Sequence, residues 1–399
     1  MTKEKLLSFH AGVVKDINEQ LVLKLIQEHE VISSSELVKI TGMRPSTIFN
    51  ILKELSAKSF VSFHGKGEST KKGGKKPYIW MLKKDAAYTI GLDIEVGEMT
   101  AVILDFSGGI VAKKILKIET GHTADELAEN IIKVVSDIIL ENKIETEKVL
   151  GLGVAFAGIV DCGRGLVIMS SVVPEMNFSL LEKLESLPFR VLVENNANAA
   201  AVGLKWGGNE NPSTNLNGQR KNYLTILVEI DTNVSGLGIG IVVNGELYRG
   251  ASYCAGELYP HLPTLNEILS TIRSRFVEGS ILKNYVSAHE SLDIETLLDA
   301  AKKGDEIAKL AFSKIGNIVG HTIAPAVALL NPDTLIITGI VSELEEVIVD
   351  SVNRVLEMRV LSITKNALNI IVDKYHHYSV AVGAASLILE DFFRLPIKR

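Results

Sequence analysis

The stretch Val193-Glu194-Asn195-Asn196-Ala197-Asn198-Ala199-Ala200 is the segment around which the remaining sequence can be arranged. A short apolar run over 189–193 leads into its polar residues, and an alanine-rich segment over 199–204 follows them. This order predicts a buried strand that delivers polar side chains to the mouth of a cleft, and then a helix. The alternative is an ordinary helix cap, because an asparagine side chain readily accepts hydrogen bonds from free backbone N–H groups.

The charged residues divide the 399-residue chain into a basic and an acidic part. Residues 1–84 hold 15 Lys and Arg against 8 Asp and Glu, whereas the other residues hold 27 against 40. A basic first unit on an acidic body favours a polyanionic partner for that unit alone. A solvated lysine surface is the alternative.

Nothing in the sequence predicts a membrane or secreted protein. No apolar run reaches the ~18 residues that a membrane span needs, and no signal-peptide core follows the N-terminus. The two cysteines, Cys162 and Cys254, are isolated and show no metal-ligand spacing. We therefore expect a reduced, cytoplasmic protein with no membrane partner.

Residues 1–84 have the pattern of a helix-turn-helix. Apolar residues at helical spacing predict a first helix over 13–29, and a capping box at Ser33 begins a second. A glycine-containing turn at 41–44 joins it to a third helix over 45–58, which we expect to read the major groove of DNA. The residues of this helix predicted to contact DNA are Arg44, Pro45, Ser46, Thr47, Asn50 and Lys53.

A basic loop over 64–76 lies between two predicted strands, at 60–63 and 77–82. It contains four glycines and a single acid, Glu68, which is the composition of a wing that lies along DNA phosphates. The alternative is a three-helix packing module with a solvated loop. The lysines predicted to contact phosphates are Lys66, Lys71, Lys72, Lys75 and Lys76.

The body of the chain contains two similar strand patterns. Glycine-bearing meanders over 90–118 and 223–250 suggest an internal duplication, with two lobes and a cleft between them. Helix and strand patterns alternate through the rest of the body, which predicts an α/β fold. We expect the first lobe over 85–200 and the second over 201–399.

The chain resembles the ROK family, in which sugar kinases and sugar-responsive repressors share a two-lobed, actin-like (ribonuclease H-like) fold. The most specific match is 244–251 (Asn-Gly-Glu-Leu-Tyr-Arg-Gly-Ala) followed by 255–258 (Ala-Gly-Glu-Leu). The segments 157–161, 193–200 and 331–339 also occur in family order. The resemblance covers nearly the whole chain, and the first unit is similar to the winged helix-turn-helix of the repressor branch. It also implies that the last helix returns to the first lobe.

One departure from the family concerns catalysis. In the kinases an aspartate takes the proton from the sugar hydroxyl that attacks the γ-phosphate, and this chain has Asn196 at that position. An amide has no usable basicity near neutral pH, and loss of a positioned general base typically costs ~10²–10⁴ in rate. The resemblance therefore favours a protein with no catalytic residue over an enzyme.

The phosphate loops of the family are degenerate as well. In the first loop Glu95 brings negative charge toward a phosphate, and Val96 adds a side chain where close approach is needed. In the second loop Val234 and Ile239 replace glycines. The family's zinc-binding cysteines are absent between 260 and 290, so we expect no metal and no cofactor. The residues retained from the two loops are Gly97, Ser235, Gly236, Gly238 and Gly240.

The sugar contacts that the resemblance implies are better retained. Asn195 matches a residue that hydrogen-bonds a sugar hydroxyl, and Glu257 matches one that accepts from a hydroxyl. The family's next contact is a histidine, and here that position is Pro260. His261 is then either a displaced ligand or a surface histidine, with Tyr259 as an alternative ring-stacking contact. The predicted sugar-site residues are Gly158, Asn195, Asn196, Glu257 and His261.

These features predict a DNA-binding transcriptional regulator, a repressor of carbohydrate-use genes. We expect it to bind a roughly palindromic double-stranded operator as a homodimer or larger homo-oligomer. Its degenerate kinase-like body is expected to bind a sugar or sugar derivative and to change operator affinity. Two alternatives stay open: an ATP-dependent sugar kinase that carries a DNA-binding unit, and a structural protein that has lost both ligands.

Overall fold

The computed structural model describes residues 11–67, 76–206, 222–230, 235–258, 262–272, 280–282 and 292–395. Its N-terminal unit contains three helices and an antiparallel three-stranded sheet in the order β1-β3-β2. The elements are α1 (Ala11–His29), β1 (Val31–Ser33), α2 (Ser34–Thr41), α3 (Pro45–Ala57), β2 (Val61–Lys66) and β3 (Tyr78–Leu82). The predicted order of helices, turn and hairpin is confirmed.

Capping residues determine where the two helices of the helix-turn-helix begin and end. The Ser33 hydroxyl accepts from the Glu36 N–H, and the Glu36 carboxylate accepts from the Ser33 N–H, so α2 begins with the predicted capping box. It ends at Gly42, whose φ of 69° is a left-handed conformation that suits a glycine. Pro45 then occupies the first turn of α3, where its missing N–H costs nothing.

The first lobe is built on a five-stranded sheet with the order β11-β7-β4-β5-β6. A small antiparallel sheet, β8-β9-β10, lies beyond the end of β7. The elements are β4 (Tyr88–Glu95), β5 (Glu98–Asp105), β6 (Ile110–Lys117), α4 (Ala124–Glu141), β7 (Val149–Phe156), β8 (Gly158–Asp161), β9 (Leu166–Ser170), β10 (Phe178–Ser179), α5 (Leu180–Lys183) and β11 (Arg190–Asn195).

The second lobe has its own five-stranded sheet, in the order β14-β13-β12-β15-β16. Helices cover this sheet and bury a separate apolar core. The elements from residue 196 onward are α6 (Asn196–Gly203), β12 (Tyr223–Ile230), β13 (Ser235–Val243), β14 (Glu246–Leu247), α7 (Leu265–Ser270), α8 (Ile294–Lys302), α9 (Glu306–Leu330), β15 (Thr334–Thr338), α10 (Glu345–Arg359), α11 (Ser362–Ala367), β16 (Asn369–Val372) and α12 (Ser379–Phe392), of which α6 and α12 lie outside this core.

The two large sheets have the same topology. In each sheet the central strand (β4 or β12) pairs antiparallel with the next strand (β5 or β13) and parallel with a later one (β7 or β15). A further antiparallel strand (β6 or β14) lies beside the first neighbour, and a further parallel strand (β11 or β16) lies beside the second. The duplication and the α/β fold class expected from the meanders are therefore confirmed. No described helix is long and apolar enough to cross a membrane.

One stretch differs from its sequence pattern. The apolar run 149–160 predicts a single buried strand, but the chain turns at Gly158 and divides the run into β7 and β8. Gly158 has φ 154°, and a Cβ there would lie 2.2 Å from the backbone oxygen of Met169. This turn directs the chain into the small sheet, which sequence periodicity alone does not reveal.

The last helix packs against both the first-lobe sheet and α6 through small residues. A Cβ on Gly153 of β7 would lie 1.8 Å from the backbone oxygen of Ala384, so helix and sheet meet backbone to backbone. On the other side, a Cβ on Gly383 would lie 2.0 Å from the backbone oxygen of Ala199 in α6. The position of α6 is therefore set by α12.

An aromatic cluster joins the N-terminal unit to the end of α12. Phe60, which follows α3, stacks on Phe106 at 5.4 Å between ring centroids, and Phe106 lies 5.2 Å from Phe393. Trp206, just after α6, is 5.4 Å from Phe393. Such pairs typically add ~0.5–1.5 kcal/mol each beyond the area that they bury. The helix-turn-helix is thus packed onto the body and not only tethered to it.

The close contact at Gly383 can be tested by adding one methyl group. Gly→Ala inside a helix normally stabilises it, but Gly383→Ala must displace the α6 backbone, so we expect a loss of about 1–3 kcal/mol. Ser386→Ala is the control, because its hydroxyl donates only within α12, to the backbone oxygen of Val382. Urea unfolding measures both variants, and a Gly383→Ala protein as stable as the parent would contradict the packing.

Candidate functional site

Asn195 ends β11 and its side chain has two roles. The Oδ1 atom accepts from the Asn198 N–H at 3.1 Å, so it caps α6. The Nδ2 group points the other way, donating to the Gly158 backbone oxygen at 2.9 Å and to Glu257 Oε1 at 3.3 Å. The helix cap and the cleft residue, alternatives in the sequence, are therefore compatible. Three of the predicted sugar-site residues lie together at this point.

A buried ion pair holds this corner of the cleft. Glu194 is 1% exposed, and its Oε1 accepts from the Asn195 N–H at 3.0 Å and from Asn198 Nδ2 at 3.1 Å. Its Oε2 accepts from Arg249 Nε at 2.7 Å, across 55 residues of sequence. Because removing one partner leaves an uncompensated buried charge, this pair fixes the loop after β14 to the strand that carries Asn195. Sequence reasoning did not predict it.

The loop that carries Glu257 is held close to β13. Gly256 has φ 92°, and a Cβ there would lie 1.8 Å from the backbone oxygen of Ile239, so only glycine fits. Glu257 also bridges to Gly238 of β13. Its side chain is open to solvent in the cleft, yet burial by the surrounding protein raises the pKa of its carboxyl. A carboxyl group held this way is available to accept from a ligand hydroxyl.

Two glycines of the second phosphate loop have a packing role. A Cβ on Gly238 would lie 2.7 Å from the Ala197 Cβ, and one on Gly240 would lie 2.5 Å from the Ala197 backbone oxygen. Both glycines allow β13 to lie directly on α6. Their presence in this chain therefore needs no phosphate ligand as an explanation.

Asn196 is bonded away from Asn195, toward the second lobe. Its Nδ2 donates to Glu229 Oε1 at 2.9 Å, and only 7% of the residue is exposed. Glu229 lies near the end of β12, and sequence reasoning missed it because it is a single charged residue in a mostly apolar strand. The amide at the kinase-base position thus has a carboxyl partner.

Carboxyl groups from both lobes meet beside Asn196. Burial, reinforced by the nearby Glu95 charge, raises the pKa of Glu229 to about 8. Burial also raises the pKa of Asp93, with Glu95 and Glu229 contributing, and raises the pKa of Glu95. Asp93 is 4% exposed, and its Oδ1 has no hydrogen-bond partner among the described residues. Asp93, Glu95 and Glu229 together form a carboxyl wall in which burial disfavours the charged forms.

The cationic side chains near this wall are hydrogen-bonded to a fourth acid, Glu98. Glu98 accepts from His377 Nε2 at 2.8 Å and from Lys117 Nζ at 2.6 Å. These bonds lower the pKa of Glu98 to about 2, and the bond to Glu98 raises the pKa of His377. Gly97, with φ 78°, makes the turn that separates Glu95 from Glu98. The predicted first phosphate loop therefore presents carboxyl groups.

The second predicted loop is described from Ser235 onward. Ser235 is buried, and no described residue is a hydrogen-bond partner of its hydroxyl. A Cβ on Gly236 would lie 3.4 Å from Glu229 Oε2. Val234, His261 and Tyr259 lie outside the described residues, so the sugar role predicted for His261 has no structural counterpart here. Within the described residues no group of three or more His, Cys, Asp or Glu side chains could hold a metal ion.

Most of the predicted DNA contacts that the structure describes are exposed on the first unit. Ile48, Ile51, Leu52 and Leu55 of α3 are buried against the unit's own core. The outer face of α3 is formed by Arg44, Pro45, Ser46, Thr47, Asn50 and Lys53, all of them exposed except Thr47, which is half-buried. Lys66 and Lys76 are exposed at the ends of the β2–β3 hairpin, whereas Lys71, Lys72 and Lys75 lie outside the described residues.

Residues 89–391 match the profile of the ROK family. The chain belongs to the ROK family. Among similar curated proteins, a putative xylose repressor of Caldicellulosiruptor sp. (strain Rt8B.4) is 26% identical over 409 residues, covering 96% of this chain and 98% of the relative. The DNA-binding transcriptional dual regulator NagC of Escherichia coli (strain K12) is 23% identical, covering 95% and 94%.

A solved ROK structure has the same overall fold as this ROK protein. It is described as a ROK family transcriptional regulator, homolog of the E. coli MLC protein. It aligns with a TM-score of 0.73 at 19% identity, covering 96% of this chain and 97% of its own. The likeness therefore extends over the N-terminal unit as well as both lobes.

The raised pKa of Glu229 makes the stability of this ROK protein depend on pH. In the unfolded chain the pKa of this carboxyl is near 4.5, but in the folded protein its pKa is about 8. Between these values the folded state binds more protons, so its free energy of unfolding falls as pH rises. Glu229→Gln does not titrate and still accepts from Asn196. Its Tm should exceed that of the parent by a few degrees at pH 8.5, and the difference should shrink toward pH 5.

Glu98→Gln provides the opposite control. The pKa of Glu98 is lowered to about 2, so its charged form stabilises the folded state above pH 4.5. This variant should have a lower Tm than the parent throughout pH 5–8. Differential scanning fluorimetry across this range measures both effects, and a Glu229→Gln curve parallel to that of the parent would show that Glu229 is ionised in the fold.

Proposed function

We propose that this chain is a DNA-binding transcriptional repressor whose kinase-like body binds a sugar and thereby changes operator affinity. The observation that carries the proposal is the Asn196–Glu229 hydrogen bond at 2.9 Å, in a chain that begins with a winged helix-turn-helix. The bond leaves a polar cleft with an amide where a kinase needs a base. A cleft that binds without turnover suits a sensor. The names of the relatives, which are repressors and a dual regulator, support the same function.

The sugar is held in this proposal by Asn195, Gly158 and Glu257. Asn195 Nδ2 and the Glu257 carboxylate bond each other at 3.3 Å, a long contact that a ligand hydroxyl can replace by accepting from one and donating to the other. His261 follows this loop and is a further candidate contact. The Glu194–Arg249 ion pair keeps the site in place before the ligand arrives.

The effector signal reaches the DNA-binding unit through α6 and α12. Helix α6 carries Asn195 at its N-terminal cap and Asn196 in its first turn, and it packs on α12 at Gly383. Helix α12 ends in the aromatic cluster that includes Phe60 of the N-terminal unit. A sugar that prefers one arrangement of the lobes therefore shifts the equilibrium between DNA-competent and DNA-incompetent forms. We propose that the sugar weakens operator binding.

Operator recognition requires two copies of the chain. A homodimer places two α3 helices in successive major grooves, so the operator is roughly palindromic. The outer face of α3 contacts base edges, and the wing lysines contact phosphates. We place this regulator in the cytoplasm, where both the operator and the sugar are present.

Replacing Lys66 and Lys76 with alanine should weaken binding to all DNA sequences. Every lysine that no longer neutralises a phosphate should reduce the slope of log K against log salt by about 0.9. Fluorescence anisotropy with operator and scrambled duplexes, at several salt concentrations, measures the slope. Lys303→Ala with Lys309→Ala removes the same charge from the second lobe, where both lysines pair with neighbouring helix acids. An unchanged slope in the Lys66 and Lys76 variant would contradict the wing assignment.

Glu257→Ala should abolish the response to sugar while leaving operator affinity nearly intact, because residue 257 lies in the cleft and the DNA contacts lie before residue 84. In the parent the sugar should change operator affinity by about 5–150-fold, the usual range for coupled sites. Operator anisotropy during a monosaccharide titration, with thermal shift as the binding readout, measures this. Glu346→Ala, an exposed acid at the start of α10, is the control. A Glu257→Ala protein that loses operator binding, or that keeps the full response to sugar, would contradict the separation of the sugar site from the DNA-binding residues.

A further inference from the structure

We infer that the effector is an uncharged, unphosphorylated sugar, and that Glu229 and Glu95 exclude its phosphate ester. The inference rests on the proposed sugar-sensing function and adds the chemical class of the ligand. Its basis is the carboxyl wall, which reaches the predicted sugar site where Glu229 accepts from Asn196 at 2.9 Å, one residue from Asn195.

The wall receives carboxyl groups from both lobes. Asp93 and Glu95 come from β4 of the first lobe, and Glu229 comes from β12 of the second. The charge of Glu95 acts on Glu229, and so does the charge of Glu257, which the proposed sugar contacts. A phosphate attached to a sugar between these groups would therefore bring its negative charge among carboxyl groups.

Little positive charge is available to compensate a phosphate here. Within the described residues, the cationic groups that act on Glu95 are His377 and Lys117, and both are bonded to Glu98. Arg249, on the other side of Asn195, is paired with the buried Glu194. Binding a phosphate would require breaking one of these pairs or burying an unpaired anion, and both are unfavourable.

The same wall suits the hydroxyl groups of a neutral sugar. Carboxylates accept hydrogen bonds from hydroxyls, and a protonated carboxyl both donates and accepts. Asp93 Oδ1 is buried with no hydrogen-bond partner in the part of the chain that the structure describes, and burial raises the pKa of Glu229 to about 8. The cleft thus favours donors and acceptors without net charge over an anionic group.

The test uses the full chain and matched pairs of compounds. Glucose, N-acetylglucosamine, ribose and xylose are screened by thermal shift beside the 6-phosphate or 5-phosphate ester of each, and each active pair is then measured by calorimetry. At pH 7.5 a phosphate ester is mostly a dianion, since its second pKa is about 6. The ester should bind at least about tenfold more weakly than the parent sugar. An ester that binds as tightly as its parent sugar overturns the inference.

The O-methyl ether of the active sugar, at the carbon that carries the phosphate, separates charge from size. It adds bulk but no charge and should bind more tightly than the ester. Equal weakness of ether and ester would mean that the site excludes by shape, which also overturns the inference. If no sugar and no ester shifts the melting temperature, the proposed function itself fails.

The isosteric double variant Glu95→Gln with Glu229→Gln assigns the exclusion to the two acids. The ratio of the dissociation constants of ester and sugar should fall toward one in this protein, whereas Glu147→Gln, an exposed acid of the first lobe, should leave it unchanged. In the parent protein the ratio should rise between pH 7 and pH 9, as Glu229 loses its proton while the ester stays a dianion. A ratio that the double variant does not change would show that these carboxyls are not the cause.

Discussion

Backbone-to-backbone packing of α12 is the constraint on which the rest of this structure depends. Gly153 brings the first-lobe sheet against one side of the helix, and Gly383 brings α6 against the other, both at distances that leave no room for a Cβ. Gly238 and Gly240 then let β13 of the second lobe lie on the far side of α6. The cleft residues Asn195 and Asn196 stand at the start of α6, so their positions follow from this sequence of glycine contacts and not from the loops around them.

The carboxyl wall follows from the same arrangement. Strands β4 and β12 are the central strands of the two sheets, and both end at the cleft, so Glu95 and Glu229 are brought together from opposite lobes. Burying such groups side by side is unfavourable for their charged forms, so the pKa of each carboxyl is raised above its ordinary value. Glu98 differs from its neighbours because it accepts bonds from His377 and Lys117. One short turn therefore carries one acid that resists ionisation and another that is always ionised near neutral pH.

Sequence reasoning predicted those parts of the molecule that depend on local pattern. Periodicity, capping residues and turn glycines placed the helix-turn-helix, both meanders and the segment around Asn195, since each is decided within a few residues. The grouping of Gly158 and Glu257 with Asn195 was predicted from the resemblance to a family, because no local pattern in the sequence connects these three residues. The missed contacts are long-range: 33 residues separate Asn196 from Glu229, 55 separate Glu194 from Arg249, and 279 separate Glu98 from His377. Nor does a sequence distinguish a glycine kept for phosphate from one kept for packing, as Gly238 illustrates.

The character of the contacts indicates which parts of the protein move together. The contact of β13 with α6 at Gly238 and Gly240 involves only small residues, so the second-lobe sheet can shift along α6 by small shear displacements. The contact between the N-terminal unit and the body is different, because the Phe106 ring packs against both Phe60, at 5.4 Å between centroids, and Phe393, at 5.2 Å. The helix-turn-helix should therefore follow α12 as one body and not tilt on its own. In a dimer, a sugar that changes the angle between the lobes would then change the spacing of the two α3 helices. That spacing must match the distance between the half-sites of a palindromic operator.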